Sequence, residues 1–393
     1  MRRAPSYRHP VARTVAAALL ATAPLAAAGP AAADSVELPS VSTVLAADAP
    51  CVRASPDKAA DAPWSRRVLG LSRTWKLSEG EGVTVAVVDT GVGTDIPALS
   101  GRVTAAGDGG TDCVGHGSFA AGLIAAAPRA GSGVSGVAPG ARILGVRGTD
   151  TRGATTAARL AAGIRTAADE GAGVIYVGRA LGTGKEELTE AVAYASASDA
   201  LVVAPVTPDS VPRDATGKPG ELLPWYWPAS APGVLSVIDY GPGGSRPEGA
   251  PTVGGADLSA PGDALVSVGP KGAGHYFGSG SSFAAAHVAG AAALVRARHP
   301  EMTAAQVFRQ LTETAYPSDT PRLDPYAAVT ALLSGERGTV ASPGPARVVA
   351  AAPTGPRERA LILAGVGGGL VLLVAAAAVV IPLGRARGWR PPS

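Results

Sequence analysis

An acid, a base and a nucleophile follow one another along this chain, each in a short segment suited to holding it. Asp89 lies in Val85-Ala86-Val87-Val88-Asp89-Thr90-Gly91, His116 in Gly115-His116-Gly117, and Ser282 in Gly280-Ser281-Ser282-Phe283-Ala284-Ala285. A serine hydroxyl becomes a working nucleophile when an imidazole takes its proton and a carboxylate orients that imidazole. Each residue also has a plainer reading by itself. Asp89 could be a turn residue at a strand end, His116 a structural histidine, and Ser282 an N-cap. All three in the order Asp, His, Ser, each among small residues, point instead to acyl transfer at a carbonyl.

The neighbouring segments say how these side chains would be held. Val83–Val88, Arg142–Val146, Gly173–Val177, Leu201–Ala204 and Val234–Ile238 are short, continuous apolar runs. Runs of that kind suit parallel strands buried on both faces. Helical segments alternate with them, at Phe119–Ala127, Thr155–Glu170 and Glu186–Ser198. The alternation predicts an α/β fold, a parallel sheet with helices on both faces. Active sites of open α/β sheets form beyond the carboxyl ends of the strands, and Asp89 follows an apolar strand directly. Ser282 opens an apolar helix, where free N–H groups and the helix dipole favour an oxyanion.

The two ends of the 393-residue chain have another character. Arg2, Arg3, Arg8 and Arg13 precede an apolar run and then Ala31-Ala32-Ala33, the layout of a secretory signal peptide over residues 1–33. Residues 34–63 form an N-terminal arm without periodicity. The main body runs over 64–334, and a linker rich in Gly, Pro, Ala and Ser over 335–359. Residues 360–383 carry no charge and are long enough, at about 1.5 Å per residue, to cross a membrane core of roughly 30 Å. Arg385, Arg387 and Arg390 follow in a basic tail, 384–393, which belongs on the cytoplasmic side and leaves the body outside. Gly365 and Gly369 are spaced for packing against a second membrane helix.

The formal charge of +3 includes the seven arginines of these two ends, which leave −4 elsewhere. That balance excludes an electrostatic footprint for nucleic acid. Gly131-Ser132-Gly133-Val134-Ser135-Gly136 fits a dinucleotide fingerprint in letters only, because a strand rather than a helix follows it. No Cys/His cluster suggests a metal, and no cofactor is expected. The two cysteines, Cys51 and Cys113, would pair in an oxidising compartment or stand as two free thiols.

From about Cys51 to Leu333 the chain resembles the subtilases, and among them the mycosins, membrane-anchored proteases of type VII secretion. Besides the three motifs, the resemblance rests on Gly136-Val137-Ala138-Pro139-Gly140-Ala141, Leu258-Ser259-Ala260-Pro261-Gly262 and Leu323-Asp324-Pro325-Tyr326-Ala327-Ala328. It implies a subtilisin-like fold and a triad of Asp89, His116 and Ser282. It also implies protein or peptide substrates, a type VII membrane complex as partner, and a bridge from the arm, Cys51, to the body, Cys113.

Departures from the family pattern concern substrate handling. Subtilases supply an asparagine amide to the oxyanion, but this chain contains no asparagine. Pro208 aligns with it in Val203-Ala204-Pro205-Val206-Thr207-Pro208-Asp209, with Thr207 or Ser210 as stand-ins. Losing one such donor typically costs about 10²–10³ in turnover. The strand that should pair with substrate reads Val177-Gly178-Arg179-Ala180-Leu181-Gly182, making Gly178 a candidate contact. Two functions compete on this basis: a membrane-anchored serine endopeptidase, or a weakly active protease-fold scaffold within a secretion complex.

Overall fold

The computed structural model describes residues 36–211, 218, 220–251, 255–333 and 355–388. The expected signal peptide and most of the linker lie outside them. The chain divides into two units, one ending at Leu333 and one beginning at Ser334.

Seven strands of the first unit form one parallel sheet: β1 (Thr84–Asp89), β2 (Val103–Ala106), β3 (Arg142–Arg147), β4 (Val174–Val177), β5 (Leu201–Pro205), β6 (Leu235–Tyr240) and β7 (Leu258–Pro261). Their order is β2-β3-β1-β4-β5-β6-β7, so the strand bearing Asp89 is an interior one, flanked by β3 and β4. β8 (Leu265–Val268) and β9 (His275–Gly278) form a separate antiparallel pair.

Burial on both faces explains the continuous apolar runs. Successive side chains of a strand point to opposite faces. Val85 and Val87 enter one core, with Phe119, Phe283 and Leu294, whereas Ala86 and Val88 enter another, with Leu160, Ile164 and Leu188. The first core is roofed by α3 (His116–Ala125) and α6 (Ser281–Arg298), the second by α4 (Ala157–Asp169) and α5 (Lys185–Ala197). Shorter helices complete the unit: α1 (Trp64–Val68), α2 (Leu71–Thr74), α7 (Ala304–Glu313) and α8 (Pro325–Thr330). α6 is buried on every side from Ser281 to Val295. Its run of alanines suits a helix enclosed all round, where no polar face is needed.

The five strands read from the sequence agree with β1 and β3–β6 to within two residues at either end. β2 did not stand out because its central Thr104 and Ala105 are exposed. α3 starts three residues before the expected Phe119, because a carboxylate supplies its cap. Asp112 accepts from the N–H groups of Val114 (3.0 Å) and Gly115 (2.7 Å) through Oδ1, and of Ser118 (2.9 Å) through Oδ2.

The arm lies against the body. Val41 N–H donates to Phe277 O at 2.8 Å, and Phe277 N–H to Pro39 O at 2.9 Å. Cys51 and Cys113 are joined in a disulfide, and Val52 N–H donates to Cys113 O at 2.8 Å. Further along, Ala59 N–H donates to His275 Nδ1 at 2.9 Å.

In the second unit α9 (Gly355–Ala386) is the described element. Its stretch Arg359–Ala386 has 28 residues, with a mean hydropathy of 2.5 over its most apolar 18, long and apolar enough to cross a membrane by length and composition.

Candidate active site

The three sequence-selected side chains meet beyond the carboxyl ends of the strands. Asp89 is the last residue of β1, His116 the first of α3, and Ser282 the second of α6. His116 Nδ1 lies 2.7 Å from Asp89 Oδ2, and its Nε2 lies 3.2 Å from Ser282 Oγ. All three residues are buried. Asp89 Oδ1 accepts from Thr90 N–H at 2.7 Å, and the His116 ring packs on Phe283 with 4.7 Å between centroids.

Burial alone would raise the Asp89 pKa, but the His116 and Arg179 charges and the hydrogen bonds from His116 and Thr90 outweigh it and lower it. Burial and Arg179 push His116 down. The Asp89 charge and hydrogen bonds to Asp209 and Asp89 exceed both, so its pKa lies above the usual imidazole value. The Tyr176 hydroxyl, 3.5 Å from Asp89 Oδ2, stays protonated: burial and the neighbouring carboxylates drive its pKa well up.

Of the candidate oxyanion and substrate contacts, Pro208 has no N–H to offer and lines two cavities flanking the site. Thr207 is fully buried, its hydroxyl 3.5 Å from Pro208 O. Gly178 does something else. A Cβ there would stand 1.9 Å from Asp89 Oδ2, so glycine leaves the space that the carboxylate fills. Arg179, next in line, brings Nη2 to 3.6 Å from Asp89 Oδ1 and donates to Thr43 O of the arm at 2.7 Å.

The residue that reading the sequence missed is Asp209, one position beyond Pro208. Its Oδ1 accepts from Ser282 N–H at 2.9 Å, and its Oδ2 from Ser282 Oγ–H at 2.7 Å. The same Oδ2 is 3.0 Å from His116 Nε2. Asp209 borders both a cavity of about 570 Å³, lined also by Asp239, Arg246 and Glu248, and one of about 240 Å³, lined by Thr43, Gly178 and Leu181. No sequence signal marks it, since an aspartate after a proline reads as an ordinary turn residue.

Behind the nucleophile, Ser281 Oγ donates to Asp239 Oδ1, which also accepts from Arg246 Nη2 at 2.7 Å. His287, about one and a half turns further along α6, is buried neutral. Burial lowers its pKa to about 4, and its Nδ1 lies 2.9 Å from Pro261 O.

Comparison with known proteins agrees with this architecture. The model of the subtilase family matches residues 80–344. Mycosin-3 of Mycobacterium tuberculosis is 32% identical over 394 residues, covering 82% of this chain and 84% of its own. Thermitase of Thermoactinomyces vulgaris is 34% identical over 233 residues, covering 57% and 78% respectively. Among solved structures, the MycP3 protease from the type VII (ESX-3) secretion system superposes with a TM-score of 0.59 at 33% identity, covering 72% of this chain and 92% of its own. A chain of the periplasmic assembly from the ESX-5 inner membrane complex gives 0.63 at 26% identity, covering 78% and 94%. Fold, motif order and matched span agree: the chain belongs to the subtilase family and, within it, to the mycosins.

Proposed function

We propose that this protein is a membrane-anchored serine endopeptidase whose triad is Asp89, His116 and Ser282. The observation that carries the reading is the hydrogen-bonded line from Asp89 Oδ2 through the two nitrogens of His116 to Ser282 Oγ. Ser282 attacks the peptide carbonyl, His116 takes its proton and returns it to the leaving amine, and Asp89 orients the ring and balances its charge. Ser282 N–H, at the start of a helix of 18 residues, is the backbone donor for the oxyanion.

The similarity to chains from ESX-3 and ESX-5 systems supports association with a type VII secretion complex. The apolar α9 and the arginines after it support one membrane crossing with the body on the extracytoplasmic side. Residues 1–33 would be removed as a signal peptide, and residues 335–359 would link body to membrane.

One observation favours a second reading, a scaffold of low activity: the Asp209 carboxylate already occupies the Ser282 N–H. Fluorophosphonate labelling of the detergent-solubilised full chain separates the two. The enzyme reading expects label on Ser282, lost in Ser282→Ala and in His116→Ala. Labelling indifferent to His116→Ala supports the scaffold.

A further inference from the structure

The Asp209 carboxylate sits where the reaction would place negative charge. When Ser282 Oγ bonds to a peptide carbonyl, the carbonyl oxygen becomes an oxyanion that needs Ser282 N–H. That N–H already donates to Asp209 Oδ1 at 2.9 Å. An ionised Asp209 both holds the donor and repels the charge that donor should stabilise.

The same carboxylate is tied to the base. His116 Nε2 and Asp209 Oδ2 are 3.0 Å apart, one hydrogen-bond length, so a single proton can serve either atom. On Nε2 that proton leaves His116 without a lone pair for Ser282 and leaves Asp209 charged. On Oδ2 it yields a neutral imidazole and a carboxylic acid, which is a donor. One proton shift makes base and oxyanion donor together.

We propose that Asp209 is a further catalytic residue, a carboxylic acid that donates to the oxyanion in place of a side-chain amide. This rests on the Asp89–His116–Ser282 reading. The Oγ lone pair forms the carbon–oxygen bond while the Oγ proton passes to His116 Nε2. The carbonyl π pair moves onto oxygen, which accepts from Ser282 N–H and from the Asp209 O–H. Collapse restores the carbonyl and breaks the carbon–nitrogen bond, and the amine leaves with the His116 proton. Water then repeats the sequence on the acyl-enzyme, and Asp209 keeps its own proton throughout.

The surroundings suit this role. Gly280 makes room: at its φ of +155° a Cβ would lie 2.2 Å from the Asp209 Cγ and Oδ1. The two cavities that Asp209 borders leave space for a chain to approach it. Among the described residues, the titratable and charged groups around it come from every element of the site. They are His116 from α3, Asp89 and Tyr176 from β1 and β4, Arg179 after β4, and Asp239, Arg246, Glu248 and Asp263 around the larger cavity. Among the described residues, His116 alone of these groups is within hydrogen-bond distance of its carboxylate.

The inference sets the sign of the pH dependence. The active wild-type species carries one proton on the His116–Asp209 pair, and losing it silences the enzyme. With asparagine at 209 the donor is an amide whatever the pH, and losing the His116 proton switches the enzyme on. The test measures kcat/KM on a fluorogenic peptide pool and the rate of fluorophosphonate labelling. It uses full-length wild type, Asp209→Asn and Ser282→Ala in detergent, from about pH 5 to about pH 9. Wild type should fall as pH rises through the pair's last titration while Asp209→Asn rises, ending on the order of 10²-fold faster than wild type at the alkaline end. A wild-type profile that only rises with pH overturns the inference without any variant and leaves the triad reading standing. Parallel profiles for the two proteins do the same. Labelling and turnover unaffected by Ser282→Ala overturn the triad reading, and this inference with it.

Discussion

Ser281 Oγ is hydrogen-bonded to Asp239 Oδ1, so the residue before the nucleophile is moored to a carboxylate on β6. Arg246 holds the same oxygen from the other side, through Nε at 3.2 Å and Nη2 at 2.7 Å. The first turn of α6 is therefore fixed by a side chain as well as by its own backbone bonds. Asp239→Ala removes the shared acceptor and strands a buried hydroxyl beside a guanidinium. Stability should fall by about 2–3 kcal/mol, seen in urea unfolding. kcat should fall further than a uniform loss of folded protein explains, seen by normalising turnover to active-site titre.

Gly178→Ala tests the seat of the acid. The added Cβ would stand 1.9 Å from Asp89 Oδ2, so the carboxylate must move away from His116. A displacement of about 1 Å costs on the order of 10²-fold in turnover. Steady-state kinetics should show that loss in kcat, with circular dichroism unchanged.

His287 gives stability a pH dependence separate from catalysis. Its folded pKa is about 4, below the ordinary 6.5, so between those values the unfolded chain binds a proton that the native state does not. Stability must then fall as pH drops from 6.5 towards 4, by about 3 kcal/mol. His116 acts with the opposite sign: its raised pKa adds stability below pH 6.5 that is lost as pH rises through the folded value. Gln in place of His287 keeps a donor for Pro261 O but cannot titrate. Denaturant unfolding at pH 7 and pH 4 should show the acid loss in wild type and its absence in His287→Gln.

The bridge between Cys51 and Cys113 spans 62 positions, and closing a loop of that size stabilises by about 4 kcal/mol on the chain-entropy estimate. The double change to serine should lose most of that in urea unfolding. Adding a reducing agent should then alter wild type alone.

Legibility in the sequence followed burial. β1 and β3–β6 are enclosed on both faces and read as unbroken apolar runs, whereas edge strand β2 exposes Thr104 and Ala105 and gave no run to read. The triad stood out because its members sit at the end of an apolar strand, between two glycines and at the start of an apolar helix. Asp209 stood in no motif. Its importance comes from the loop after β5 crossing the start of α6, a contact between residues 73 positions apart. The alignment with Pro208 named the right loop, but one position decides which side chain turns towards Ser282. Gly178 was legible as a site residue, though not as the gap that admits Asp89, because its effect is steric and depends on a neighbouring strand.

The strand order also dates the parts of the site. In a chain made from its N-terminus, β1, the two cysteines and His116 are all present before residue 120, and Ser282 arrives 166 residues after His116. After β3, the sheet extends at one edge in chain order, β4, β5, β6 and β7, each strand finding its neighbour already made. α6 comes after all of them and packs across β4 to β7. The nucleophile is thus the last member of the triad to be delivered, carried on the helix that closes the core, and a chain interrupted between α3 and that helix holds an acid and a base with nothing to activate.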